Sequence, residues 1–203
     1  MRGLYIVTPN WNDTQKLISI TQLALEGGAV CVQYRHKEAL PELRREQAQA
    51  LLKLSRSYNV PFVINDFVDL CLELDADGVH VGGTDAAVDE VRKQVGPNKI
   101  VGASCYGDLA LARDAKNKGA SYVAFGGFYA SKVKKYPVTT SISILQTAKE
   151  TLNLPCVVIG GMTVENSAVL VKAGADMVAA ISSVYLDQDP KKVAQQFTRL
   201  FEQ

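Results

Sequence analysis

Short apolar runs punctuate this chain. GLYIVT, AVCVQY, PFVIN, GVHVG, KIVGAS, YVAFGGF, PCVVIGG and MVAAIS are rich in β-branched residues and bounded by turn formers, and they predict eight strands. Between them, apolar residues step by three or four, as in Val88, Val91 and Val95, in Leu145, Ala148 and Leu152, and in Val193, Phe197 and Leu200. That spacing predicts amphipathic helices. The last helix opens at DQDPKK, where Asp189 suits an N-cap and Pro190 the first helical position. One junction recurs as GGAVCV, KGASYV and AGADMV, with DADGVHV as a looser copy, so a single βα unit is reused along the chain.

Continuous apolar strands alternating with helices call for parallel strands covered on both faces. A closed (β/α)8 barrel (the TIM-barrel architecture) fits best, with short helices and loops because 203 residues is near the lower limit for it. The competing architecture, a doubly wound open sheet, would carry a GxGxxG turn after its first strand, and YIVTPNWNDT has none. With no Pro/Gly/Ser-rich linker, residues 1–203 are expected to form a single domain.

Composition narrows the function. A net charge of +1 with no long run of like charge gives no general attraction to nucleic acid, so any anion must be met locally. Met1 and Arg2 lead straight into the first strand without a signal peptide, and no apolar run approaches the ~20 residues of a membrane span. A cytoplasmic location without membrane contact is expected. The four cysteines, Cys31, Cys71, Cys105 and Cys156, are widely spaced in apolar runs and are expected to be buried free thiols. With His36 and His80 as the only imidazoles, a His-rich zinc or iron site is not expected, whereas a hard cation held by carboxylates is compatible with the sequence.

In such a barrel the chemistry sits where strands end. Alternation by two sets Gln33, Arg35 and Lys37 on one side of an extended chain, facing the mouth, while Val32 and Tyr34 face the helices. Arginine offers phosphate a planar fork and lysine a point charge, although a solvated loop also accommodates Lys37. Asn65 and Asp66 end the third strand and Asp85 follows the fourth. The two aspartates suit Mg²⁺ with substrate phosphate and water, and each suits a helix cap as well. Ser104 and Tyr106 end the fifth strand, Tyr106 either covering the mouth or packing at the rim. Ser131, Lys132, Val133 and Lys134 follow the sixth, where the lysines bind substrate or are merely solvated. Gly160 and Gly161 end the seventh strand and Ile181, Ser182 and Ser183 the eighth, offering backbone N–H groups to a phosphate. His80 is expected inside the barrel as a hydrogen-bonded core residue. Together these positions predict an enzyme acting on a multiply phosphorylated small molecule with Mg²⁺.

These residues, in this order, resemble the thiamin-phosphate synthase family. Its pattern of Q-x-R-x-K, N-D, G-V-H-x-G with a following aspartate, G-x-S, a Thr/Ser-rich segment with lysine, and I-G-G is matched by Gln33-Arg35-Lys37, Asn65-Asp66, Gly78 to Gly82 with Asp85, Gly102 to Ser104, Ser131 to Lys134, and Ile159 to Gly161. The resemblance implies a (β/α)8 barrel joining 4-amino-5-hydroxymethyl-2-methylpyrimidine diphosphate to 4-methyl-5-(2-phosphooxyethyl)thiazole. It implies that Gln33, Arg35, Lys37, Asn65, Ser104 and Lys134 hold the pyrimidine diphosphate and that Asp66 and Asp85 hold Mg²⁺. Ser131, Lys132, Val133, Gly161, Ile181 and Ser182 would bind the thiazole phosphate, and Arg35, Lys37 and Lys134 would act catalytically on the departing pyrophosphate. The partners are therefore small molecules, and a homo-oligomer is compatible with the sequence. Gly83 stands where many members have Gln, and Val133 where a second Thr is usual. A related thiazole tautomerase shares the barrel but carries an S-x-H segment at the end of strand five, where this chain has Ser104-Cys105-Tyr106. A non-catalytic precursor-binding barrel is the third reading, and it would not need the metal carboxylates and leaving-group cations.

Overall fold

Gly3–Val7 forms β1, and all five of its residues are buried. Burial along a whole strand, rather than at alternate positions, requires cover on both faces. The computed structural model describes residues 1–82, 87–130 and 140–202. Within them β1 is followed by α1 (Thr14–Glu26), β2 (Cys31–Tyr34), α2 (Pro41–Ser57), β3 (Phe62–Asn65), α3 (Val68–Glu73), β4 (Gly78–Val81) and α4 (Val88–Val95). The second half runs β5 (Ile100–Tyr106), α5 (Leu109–Asn117), β6 (Tyr122–Gly126), α6 (Ser143–Leu152), β7 (Cys156–Ile159), α7 (Val164–Lys172) and β8 (Met177–Ala180), ending in the short α8 (Ser182–Tyr185) and α9 (Pro190–Arg199). The strands pair in chain order, all parallel, and β8 returns to β1 with Leu4 beside Val178. This is the expected (β/α)8 barrel.

The repeated junction has a physical explanation. After α1, Gly28 takes a φ of +97° and the Ala29 N–H reaches back to the Ala24 carbonyl at 3.1 Å. That closure satisfies a helix-end carbonyl and turns the chain into β2. In the looser copy Asp75 adopts φ +53° and the Ala76 N–H returns to Cys71 at 3.0 Å. Two residues further on, Asp77 accepts the Phe62 N–H at 2.8 Å, as Asp176 accepts that of Cys156 at 2.9 Å. Each carboxylate ties its strand to the one before it, at the end of the barrel opposite the mouth.

Two apolar layers result. Leu4, Ile6, Val32 and Phe62 pack between strands and helices, whereas Tyr5, Cys31, Val63, Tyr122, Val157 and Met177 fill the barrel. The predicted helical faces are the buried ones, including Val88, Val91 and Val95 on α4 and Leu145, Ala148 and Leu152 on α6. On α9, Ala194 and Phe197 carry the contact, with Val193 and Leu200 only partly buried. Asp189 caps α9 by accepting the Lys192 N–H at 3.0 Å, ahead of Pro190. All four cysteines are buried free thiols, and burial pushes Cys31 and Cys105 up to about 12. No helix among the described residues is long and apolar enough to cross a membrane.

Candidate functional site

Strand β2 ends at Tyr34, so Gln33, Arg35 and Lys37 do not continue one alternating face. They separate instead. Gln33 turns into the barrel and donates from Nε2 to Tyr5 Oη at 2.7 Å. Arg35 stands on the rim, its backbone N–H bound to Thr8 Oγ1 at 2.8 Å and its Nη1 to Asn10 Oδ1 at 3.3 Å, while its buried Nε has no partner. A buried donor left unmatched costs about 1–3 kcal/mol, and an acceptor brought by a ligand would recover it. Lys37 crosses to the next strand end and pairs with Asp66 Oδ2 at 2.9 Å. Tyr34 faces outward as expected, donating to Gln47 on α2 at 3.0 Å.

Asp66 is not a helix cap. The N-cap of α3 is Phe67, with no side-chain cap bond, and the Asp66 carboxylate is engaged by Lys37 and by Asn65 Nδ2 at 2.7 Å. Both contacts fall on Oδ2, which leaves Oδ1 for another cation. Asp66 also adopts φ +65°. Five non-glycine described residues have positive φ; Asn59, Asp75 and Asn153 end helices, but Asp66 and Tyr106 lie at strand ends on the mouth. Backbone held in this sparsely populated region tends to accompany functional sites. Tyr106 lies on the rim and is partly exposed, at the point where the β5–β6 register shifts.

Below the mouth a chain of buried polar groups crosses the barrel. Tyr5 Oη lies 2.8 Å from Tyr122 Oη, Tyr122 Oη lies 2.8 Å from His80 Nδ1, and His80 Nε2 lies 2.9 Å from Ser104 Oγ. Burial above all raises the tyrosine pKa values well above the usual phenol range, so both phenols keep their protons. His80 is thus the hydrogen-bonded core residue the sequence suggested, but neither tyrosine was singled out there. Their signal was present: each occupies an inward position of its strand, and Gly102 faces Tyr122. A Cβ on Gly102 would meet Tyr122 Cζ at 2.1 Å.

At the opposite side of the rim, register pairs Ile159 with Ala179, so the chain leaves β7 and β8 side by side at Gly161 and Ile181. Gly161 has φ +62°, and a Cβ there would meet the Ala130 carbonyl oxygen at 2.3 Å. Its carbonyl accepts Asn166 Nδ2 at 2.8 Å, and Asn166 and Thr163 form a capping box that starts α7. Ile181 is the N-cap of α8 with no side-chain bond, and the buried Ser183 Oγ has no partner. The loop after β1 links the two sides: Trp11 meets Tyr185 edge-on at 5.8 Å, and Asn12 Oδ1 lies 2.9 Å from His36 Nε2.

Asp85, Ser131, Lys132, Val133 and Lys134, like Gly83, lie outside the described residues. Among the described residues no three His, Cys, Asp or Glu side chains gather as a metal cage. Mg²⁺ does not need one, since one or two carboxylates with substrate phosphate and water suffice, and Oδ1 of Asp66 matches that donor set.

Comparison with known proteins gives a consistent result. Residues 4–184 match the family model described as thiamine monophosphate synthase. The chain is 63% identical over 201 residues to a thiamine-phosphate synthase of Janthinobacterium sp. (strain Marseille), covering 99% of this chain and 97% of the relative. It is 45% identical to one of Methylobacillus flagellatus, covering 99% and 96%. Among solved structures it resembles a thiamine phosphate pyrophosphorylase from Pyrococcus furiosus, with a TM-score of 0.86, 32% identity, and coverage of 98% of this chain and 95% of that one.

Proposed function

The chain belongs to the thiamine monophosphate synthase family, and we propose that its barrel mouth carries out that family's transfer with the residues described above. It is a thiamine-phosphate synthase, a transferase acting on small molecules. In the reaction, the ring nitrogen of 4-methyl-5-(2-phosphooxyethyl)thiazole forms a bond to the exocyclic methylene carbon of the pyrimidine. The bond from that carbon to the diphosphate oxygen breaks, and its electron pair leaves with pyrophosphate.

The difficult step is departure of a highly charged group. An electron-rich aminopyrimidine stabilises positive charge on its methylene carbon, so dissociation runs ahead of attack and no protein nucleophile is needed. Arg35, Lys37 and Lys134 hold the diphosphate and stabilise the charge that grows on it. Asn65 and Ser104 orient the same group, and Gln33 the ring. Asp66 and Asp85 would hold Mg²⁺, which when bound neutralises diphosphate charge. Ser131, Lys132, Val133, Gly161, Ile181 and Ser182 bind the thiazole phosphate, several through backbone N–H groups, and so fix the distance between ring nitrogen and carbon.

The observation that carries the assignment is the Asp66 carboxylate held between Lys37 and Asn65, on the same rim as the unpartnered Arg35 Nε. In this reading Asp66 would hold the metal, and Arg35 and Lys37, from neighbouring strand ends, would meet the same polyanion. Incubating the purified protein with both substrates and Mg²⁺ should yield thiamin phosphate and pyrophosphate. Asp66→Ala and Lys134→Ala should each lower turnover roughly 100-fold or more, the scale of losing one transition-state charge partner, whereas Lys132→Ala should cost far less. Equal losses in all three variants would refute these roles, and no product under any metal condition would refute the activity.

A further inference from the structure

The buried chain below the mouth has a direction, and the direction follows from what each atom can donate. Gln33 Nε2 has only hydrogens to give, so Tyr5 Oη accepts from it. The phenol hydrogen of Tyr5 then goes to Tyr122 Oη, since the neighbouring Cys31 thiol is the poorer acceptor. Tyr122 passes its own hydrogen to His80 Nδ1. An accepting Nδ1 belongs to the neutral tautomer that is protonated on Nε2, and that proton points to Ser104 Oγ. At the two ends, Ser104 keeps a hydroxyl hydrogen to give, and Gln33, with Nε2 engaged, keeps its carbonyl oxygen Oε1 to accept.

We infer that Gln33, Tyr5, Tyr122, His80 and Ser104 form a one-way hydrogen-bond relay that fixes the His80 tautomer and sets the polarity of the substrate contacts at both ends. Tyr5 and Tyr122 are positioning residues within it. The inference rests on the assignment of Gln33 and Ser104 to the pyrimidine diphosphate, and the polarity matches that ligand. Diphosphate oxygens only accept, which needs a donor at Ser104, and an aminopyrimidine offers an N–H, which needs an acceptor at Gln33. A barrel serving stability alone fills such layers with branched apolar side chains, whereas here Tyr5, Gln33, His80 and Tyr122 are buried, and Ser104 half-buried, to build the chain. Strand β5 also gives up a side chain at Gly102, where a Cβ would overlap Tyr122 Oη at 2.2 Å.

The test is nitrogen NMR of the full chain with ring-¹⁵N histidine. The chain has two histidines, so His36→Gln assigns the spectrum. His80 should be neutral and protonated on Nε2 alone. Tyr122→Phe should mix the tautomers and raise KM for the pyrimidine diphosphate roughly 3–20-fold, the scale of one or two hydrogen bonds, with kcat nearly unchanged. Tyr5→Phe should leave the His80 tautomer fixed, because Tyr122 still donates to it, yet raise the same KM. An Nδ1–H tautomer in the unsubstituted protein overturns the relay, and so does a folded Tyr122→Phe with unchanged KM. If that variant does not fold, the tautomer of the unsubstituted protein decides alone. That spectrum needs no turnover, so a protein with the expected tautomer but no synthase activity would sink the proposed function and leave the relay's direction standing.

Discussion

At the scale of single residues, the same side-chain types serve different purposes depending on what their neighbours leave unmatched. Asp66 and Asp77 are both aspartates beside strands; Asp77 Oδ2 accepts a backbone N–H where a strand begins, while Asp66 Oδ2 takes the side chains of Lys37 and Asn65 where strands end. His80 and His36 differ in the same way. His80 has both ring nitrogens engaged, whereas His36 is buried with Nε2 on Asn12 and Nδ1 without a partner. Burial is the main cause lowering the His36 pKa, with Arg44 and Arg35 adding to it against an opposing Glu38. The unfolded chain therefore takes up the proton first as pH falls through the ordinary histidine value of about 6.5. Stability is full above that value and declines below it, by at most about 1.4 kcal/mol per pH unit. Thermal melts between pH 7.5 and 5.5 should show this decline, and His36→Gln should flatten it; an equally steep curve for the variant would place the acid sensitivity elsewhere.

At the scale of elements, the strand ends matter more than the strands. The β7 exit is a glycine for two separate reasons, the positive φ of Gly161 and the Ala130 carbonyl oxygen 2.3 Å from where its Cβ would lie. The added atom in Gly161→Ala would push the β6 exit apart from the backbone proposed to bind the thiazole phosphate. A displacement of about 1 Å at a positioning group costs up to roughly 100-fold, so KM for the thiazole phosphate should rise at least tenfold, and that for the pyrimidine diphosphate much less. Equal changes in both would separate Gly161 from the thiazole side. The sequence reading located this pair of glycines but could not tell a tight turn from a ligand site; the close approach of Ala130 makes it at least the former. It also extended the alternation of β2 through Lys37, yet the strand stops at Tyr34, and each of the three polar side chains then follows a partner on a different element.

For the molecule as a whole, closing eight strands into a ring gathers onto one rim groups that are far apart in sequence. Arg35 and Asp66 come from successive units, and Ser182 arrives more than 110 positions after either of them. A ligand bridging several units should therefore stabilise the entire fold. Pyrophosphate with Mg²⁺, at about 100 times its dissociation constant, would contribute about 2.7 kcal/mol, which for a chain of this length raises Tm by roughly 5–11 °C. The same pyrophosphate with a chelator in place of Mg²⁺ should give a distinctly smaller rise, and an equal rise would remove the metal from the proposed site.

The sequence by itself determined the eight strands, the helical faces, the capped start of α9 and the polar character of the strand ends, because those follow from local periodicity and from what each residue can satisfy within a few positions. Its ordered motifs also pointed to the family. Only the tertiary structure decided which atom of Asp66 is engaged, where Gln33 turns, and that Tyr5 and Tyr122 join His80 to Ser104. Those facts depend on contacts between residues up to 117 positions apart. Periodicity records which face a side chain takes; the partner it finds there depends on how the barrel closes.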